Sequence, residues 1–375
     1  MFFFALSAAL HFYIGARLLP EYSMPWAVLV TAWLVVSAIL MPMGLIRRRN
    51  SHSEGTDRIA VLGLFAMGLF SSLLVGTFLR DLLLIAVGMI HSYTPLLFPY
   101  ERLERFSAFL VPIAALVVTF VGLWNARRIA RVVNVDVPIA GLPKEFDGFT
   151  IAQISDVHVG PTIRRGYVEG IVDAVNALDA DMIAITGDLV DGSVPQLRDH
   201  VAPLAGLKAR HGRFFVTGNH EYYSGVVSWM DELARLGIQV LHNEHVVLKR
   251  DSAQLVIAGV PDFGGGYFHP THASDPAASL VGAPTDADAK VLLAHQPRSA
   301  QAAAQAGFDL QLSGHTHGGQ FWPWNHFVRL QQPFTAGLHR VGKLWVYVSR
   351  GTGYWGPPKR FGAPSEITRL RLKPA

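Results

Sequence analysis

The stretch Ile151-Ala-Gln-Ile-Ser-Asp-Val-His-Val-Gly160 decides how this chain is read. Ile151 to Ile154 is a short, mostly apolar run of the kind used by a buried strand. At its end come Asp156 and His158. On a strand, or the turn leaving it, residues i and i+2 point the same way. A carboxylate and an imidazole aimed at one point beyond a sheet edge are what a divalent cation requires. Alone, the pair also fits a capping Asp beside an ordinary surface His.

Later strand ends repeat the pattern. Met182 to Thr186 reads as a strand and runs into Gly187-Asp188, with Asp191 three residues on. Gly187 allows a sharp turn close to a site, and Asp188 offers a carboxylate able to bridge two ions. Phe214 to Thr217 leads into Gly218-Asn219-His220-Glu221, Val291 to Ala294 into His295, and Leu310 to Leu312 into Gly314-His315-Thr316-His317. Each has a bland reading as a turn dipeptide or a core histidine. Together they require five strands to place an oxygen or imidazole at the same end by accident. Three Asp or Asn side chains and four His, with no thiolate, suit Mn, Fe, Zn, Co or Ni and do not choose among them.

Around these ends, strands alternate with helical patterns. Further strands are expected at Arg131–Pro138, Leu255–Gly259, Leu344–Val348 and Ile367–Leu372. Helices are expected at Arg165–Leu178, Gln196–Lys208, Val226–Leu236 and Pro297–Ala306. This is an α/β layered domain whose ligands sit at strand ends. Asp262 to Pro284, rich in Gly, Pro and Ala, reads as a loop insertion.

The first third of the chain differs. Only 16% of all residues are charged and mean hydropathy is +0.29, yet residues 1 to 126 contain no Lys at all. Spans of about the ~20 residues a bilayer core requires are expected at Phe2–Leu19, Trp26–Ile46, Ile59–Leu79 and Phe106–Trp124. Leu82 to Phe98 reads as a helix extension followed by an interfacial or re-entrant stretch, with a fifth span as the alternative. Four spans put Arg47 to Arg49 and Arg127 to Arg131 on one side, which the positive-inside rule makes cytoplasmic. These flanking arginines account for much of the pI near 9.3, so nucleic acid is not an expected partner. The absence of Cys excludes disulfides and thiolate chemistry. The expected organisation is a transmembrane helical region at 1–126, a linker and first strand at 127–148, and the α/β domain at 149–375.

In order and spacing, Asp156-x-His158, Gly187-Asp188, Gly218-Asn219-His220-Glu221, His295 and Gly314-His315-x-His317 resemble the calcineurin-like metallophosphoesterase superfamily. The resemblance covers the chain from about Val132 onward. It implies a four-layer αββα sandwich holding two divalent ions, one on Asp156, His158, Asp188 and His317, the other on Asp188, Asn219, His295 and His315. His220 is then the non-ligand histidine facing the substrate phosphate, a position from which it can protonate a leaving oxygen, and Asp191 orients it. Leu142-Pro143, Phe146-Asp147-Gly148-Phe149, Val348-Ser-Arg-Gly351 and Pro364-Ser-Glu-Ile367 look like a membrane-associated bacterial subgroup related to YkuE- and YaeI-type phosphoesterases. Some of its relatives hydrolyse the pyrophosphate of UDP-2,3-diacylglucosamine.

Arg350 and Arg360 flank a Gly-rich stretch and are expected to bind phosphate oxygens. Phe321, Trp322, Trp324 and Phe327 either pack an active-site loop or line an acyl groove. The expected protein is a multi-pass enzyme of the inner (plasma) membrane with a cytoplasmic catalytic domain, acting on a phosphorylated, lipid-linked substrate. The alternatives are a tethered phosphatase for soluble nucleotides or phosphoproteins, and a non-catalytic membrane sensor.

Overall fold

The computed structural model describes residues 1–49, 54–94 and 99–375. Contacts divide the chain into two units, Met1–Asn125 with Gly356–Phe361, and Ala126–Trp355 with Gly362–Ala375.

The first unit consists of the helices α1 (Phe2–Leu18), α2 (Met24–Arg49), α3 (Glu54–Tyr93) and most of α4 (Tyr100–Arg127). Among the described residues, these four are long and apolar enough to cross a membrane. Leu82 to Tyr93 extends α3 without a break, as expected. Residues 95–98 of the expected re-entrant stretch lie outside the described residues. α2 and α3 approach closely where Gly44 faces Gly63, since a Cβ on Gly44 would lie 2.9 Å from the Gly63 Cα. Small residues at such crossings let helix backbones pack where apolar burial supplies no drive. Arg80, 4% exposed, donates to Ser107 Oγ (3.0 Å) and to the carbonyls of Arg17 (3.1 Å) and Glu104 (2.9 Å). Its charge is therefore buried and met by oxygens.

Residues Gly356–Phe361 pack with these helices. Lys359 Nζ donates to Gly68 O at 2.9 Å, to Ser72 Oγ and to Thr119 Oγ1 at 3.5 Å. Its stem runs over Gly122, where a Cβ would lie 2.6 Å from the Lys359 Cγ.

The second unit contains the strands β1 (Arg131–Ile139), β2 (Thr150–Ile154), β3 (Met182–Ile185), β4 (Arg213–Phe215) and β5 (Gln239–Val240). β6 (Glu244–Arg250), β7 (Ala253–Gly259), β8 (Ala289–Leu293), β9 (Leu310–Ser313), β10 (Gly337–Val341), β11 (Leu344–Val348) and β12 (Glu366–Pro374) follow. One sheet has the order β1-β12-β2-β3-β4-β5, the other β10-β11-β9-β8-β7-β6. β2, β3 and β4 are mutually parallel, as are β7, β8, β9 and β11.

Alternation along each strand fills three apolar layers. Ile151, Met182 and Ala184 meet Leu255, Val291, Leu293 and Leu312 in a shared core between the sheets. On its other face the first sheet buries Ala152, Ile154 and Ile185 beneath Val168, Ile171, Leu197, Trp229 and Leu233. Those five come from the helices α5 (Arg165–Asn176), α6 (Val194–Val201) and α8 (Val226–Arg235), with the short α7 (Asn219–Ser224) just before the last. The second sheet's outer face packs Leu292 and Val346 against Ala300 and Ala303 of α9 (Ala300–Gln305). The result is helix, sheet, sheet, helix. β5, β6 and β10 were not anticipated; β5 is two residues long, and β6 and β10 are half-exposed edge strands carrying charged residues, so they lack a clean apolar period.

Candidate metal centre

The ends of β2, β3, β4, β8 and β9 all carry proposed ligands, and these strands are central in their sheets. That puts the site beyond the carboxyl ends of parallel strands, where α/β sheets bind ligands. Asp156 (φ 54°), His158 (56°), Asp188 (52°), His315 (69°) and His317 (52°) adopt left-handed backbone. The convergence of Asp156 with His158, and of His315 with the strand end, thus comes from tight turns rather than from extended alternation. Non-glycine residues held this way cost on the order of 1–3 kcal/mol each and gather at functional sites. Gly187 has φ 86°, and a Cβ there would sit 2.6 Å from the Gly218 nitrogen, so the second and third strand-end turns touch backbone to backbone.

Among the described residues three groups of donors result, one of them His158, Asp191 and His220 around the proposed proton donor. Asp156, His158 and His317 bring one ligand atom each within 4.8 Å of one another, and so do Asp188, His295 and His315. The His158 and His317 Nε2 atoms lie 3.0 Å apart, and His295 Nε2 lies 3.2 Å from His315 Nδ1. His295 Nδ1 is 2.7 Å from Thr186 O, which assigns a proton to Nδ1 and turns Nε2 towards Asp188. Asn219 Oδ1 is buried without a hydrogen-bond partner among the described residues. Paired imidazole nitrogens, carboxylates and an orphaned amide oxygen form a donor set that fits divalent cations.

Asp188 stands between the groups. Its Oδ2 is 3.2 Å from His295 Nε2, 3.9 Å from His158 Nε2 and 4.0 Å from His220 Nε2. Burial opposes charge on Asp188, but His295 and then His220 hold its carboxyl well below the usual range. Burial likewise disfavours the His295 cation, yet Asp188 draws it well above the ordinary value. Burial, and next the charge on His295, push His315 down to about 3. The buried Asp188 charge favours a cation beside it, whereas burial pushes the Asp156 carboxyl up.

His220 opens α7, with its side chain 16% exposed. Asp191 Oδ1 is 2.5 Å from His220 Nδ1 and 3.2 Å from His158 Nδ1. Arg350 Nη1 donates to Glu366 Oε2 at 2.8 Å, and its stem lies over Gly318 in the loop after His317. Arg360 is 1% exposed and belongs to the helical unit, where its N–H donates to Gly122 O at 2.8 Å. Of the four aromatic residues after His317, Phe321 is buried, while Trp322, Trp324 and Phe327 keep 41–53% of their surface exposed.

Glu221 received no role from the sequence. It is fully buried and accepts from the N–H groups of Gly218 (2.6 Å), Leu189 (2.8 Å) and Asp188 (3.0 Å), tying two ligand-bearing turns together. Its position three residues after the N-cap Gly218 is the capping-box spacing, a signal that was available. Asp262, 1% exposed, accepts from Gly264 N–H at 2.8 Å and Gln296 Nε2 at 3.0 Å beside His295; no local pattern marks it.

The family profile described as calcineurin-like phosphoesterase matches residues 149–319. A zebrafish (Danio rerio) transmembrane protein with metallophosphoesterase domain is 35% identical, over 96% of this chain and 84% of its own length. The bovine (Bos taurus) protein of the same description is 43% identical over 69% of this chain, which spans 61% of the bovine length. The Bacillus subtilis metallophosphoesterase YkuE is 31% identical over 62% of this chain and 82% of its own.

Proposed function

The chain belongs to the calcineurin-like phosphoesterase family, and from that premise we propose that it cleaves a phosphodiester or pyrophosphate bond of a lipid-linked substrate such as UDP-2,3-diacylglucosamine. It is a metal-dependent phosphoester hydrolase associated with a membrane. The proposal adds two divalent ions, a plasma-membrane location with four spans, and a cytoplasmic catalytic domain, the last because of the basic residues after the second and fourth spans. One observation supports the two-ion reading above all: Asp188 Oδ2 lies within 4 Å of a histidine from each donor group.

In this reading Asp156, His158, Asp188 and His317 hold one ion, and Asp188, Asn219, His295 and His315 the other. Such a pair supplies a water of lowered pKa and positive charge against the phosphoryl oxygens. The chain's own residues do the rest. Asp191 fixes the His220 ring through Nδ1 and leaves Nε2 facing the substrate side. Nε2–H then gives its proton to the leaving oxygen. Arg350, braced by Glu366, binds a phosphate oxygen through its remaining N–H groups.

The test is hydrolysis by the purified full-length protein, chelated and then resupplied with Mn²⁺. Release of product from UDP-2,3-diacylglucosamine in clear preference to a water-soluble diester supports the proposal. Turnover of soluble nucleotides alone would instead make it a tethered nucleotide phosphatase. A C-terminal reporter active only outside the cytoplasm would overturn the orientation.

A further inference from the structure

We propose that the aromatic side chains beside His220 form a subsite for an apolar group carried on the leaving oxygen. This rests on the phosphoesterase reading above and specifies which esters fit it. Tyr223 stands edge-on to His220 with ring centroids 5.3 Å apart, and Trp355 does so at 6.0 Å. Phe268 continues the patch, 5.7 Å from Tyr223. The three come from separate parts of the chain, α7, the loop after β7 and the loop after β11, yet Tyr223 and Trp355 both stand against His220 and Phe268 against Tyr223. Each keeps a large share of its surface open: 52% for Tyr223, 47% for Phe268 and 41% for Trp355. Aromatic surface left open and contiguous marks a place where something apolar binds.

Trp355 is held in place by the metal-ligand loop. Gln320 Nε2 donates to Trp355 O at 2.8 Å, and Gln320 Oε1 accepts from Trp355 N–H at 2.8 Å. Gln320 is 6% exposed, has φ 57° and lies three residues after His317. Just upstream of Trp355, Gly353 N–H donates to Asp156 O at 3.1 Å and Thr352 N–H to Ser155 O at 2.7 Å. The Trp355 backbone is thus fixed relative to Asp156 and His317. A proton donor stands next to the oxygen it protonates, so whatever flanks His220 meets the leaving group. The collar selects esters whose leaving group has an apolar body, either an alkyl chain or a flat ring.

The experiment uses methyl 4-alkylphenyl phosphates, alkyl running from methyl to butyl, with full-length Mn²⁺-loaded protein. The phenol's acidity barely changes along the series, so chain length is the variable. A fully buried methylene contributes roughly fourfold, and this half-open collar should raise kcat/KM by about twofold per methylene. Trp355→Ala should flatten that slope, Trp355→Phe should restore part of it, and Gln320→Ala should lower it through position alone. Metal content is measured on every variant; should Trp355→Ala lose metal, Tyr223→Ala and Trp355→Phe carry the test. A phenyl-to-naphthyl pair separates the sources: a gain with chain length points to a lipid chain, a gain confined to naphthyl to a nucleobase. A flat series in the wild type with the shortest member turned over, or an unchanged slope in metal-replete Trp355→Ala, overturns the subsite alone. No hydrolysis of any member by metal-replete protein overturns both the subsite and the phosphodiester form of the proposed function.

Discussion

The Asp191 carboxylate lies 2.5 Å from Nδ1 of His220. The same oxygen is 3.2 Å from Nδ1 of His158, so one side chain orients both the proposed proton donor and a proposed metal ligand. Asp191→Asn keeps the volume and removes the charge. Its kcat should fall, though by less than the loss on removing His220. Because His158 loses its orienting partner too, metal affinity should weaken by about 10–100-fold. A Mn²⁺ titration that superimposes on the wild type would deny the second role.

His220→Ala should leave metal content and folding unchanged while kcat drops by ~10²–10⁴. The loss should shrink for a nitrophenolate leaving group, which needs little protonation. Equal losses for good and poor leaving groups would reduce His220 to an electrostatic contact, and a stripped metal would make it a ligand.

Asp188→Asn should abolish activity more fully than any other ligand change. It removes charge from a side chain whose Oδ2 lies within 4 Å of both His158 and His295, so bound metal should fall from about two per chain towards one or none. Elemental analysis finding two retained ions would exclude the bridging position.

Asp181, at the turn before β3, tests the fold rather than the site. It accepts from the Thr150 N–H at 2.8 Å and Oγ1–H at 2.9 Å, and pairs with Arg250 of the other sheet. Burial opposes its charge, but the Thr150 donors and Arg250 together hold the carboxyl below its usual range. A depressed acid stabilises the fold above its unfolded pKa of about 3.9 and loses that contribution as pH falls through the folded value. Asp181→Asn should therefore cost roughly 1–3 kcal/mol at neutral pH. The gap in thermal unfolding from the wild type should close in acid; a gap independent of pH would show that the charge is not what matters.

Much of the site was legible because its chemistry is local. Gly187-Asp188, Gly218-Asn219-His220 and His315-x-His317 each put a donor directly after an apolar strand, and strand periodicity carries that placement without any knowledge of partners. The four helices that, among the described residues, are long and apolar enough to cross a membrane were legible for the same reason, since length and hydropathy are properties of a segment by itself.

Contacts between distant segments were decided elsewhere. The C-terminal strand β12 inserts between β1 and β2, parallel to one and antiparallel to the other, and nothing in Glu366–Pro374 announces that choice. Arg350 and Arg360 looked alike in sequence; one pairs with Glu366, while the other is 1% exposed and clusters with the helical unit. Lys359 received no role from the sequence, yet its stem lies against Gly68 and Gly122. Composition and periodicity fix what a segment can form, because those preferences act over a few residues. Which segment it meets depends on shape and on buried polar groups finding partners far along the chain, and only the folded chain brings those partners together.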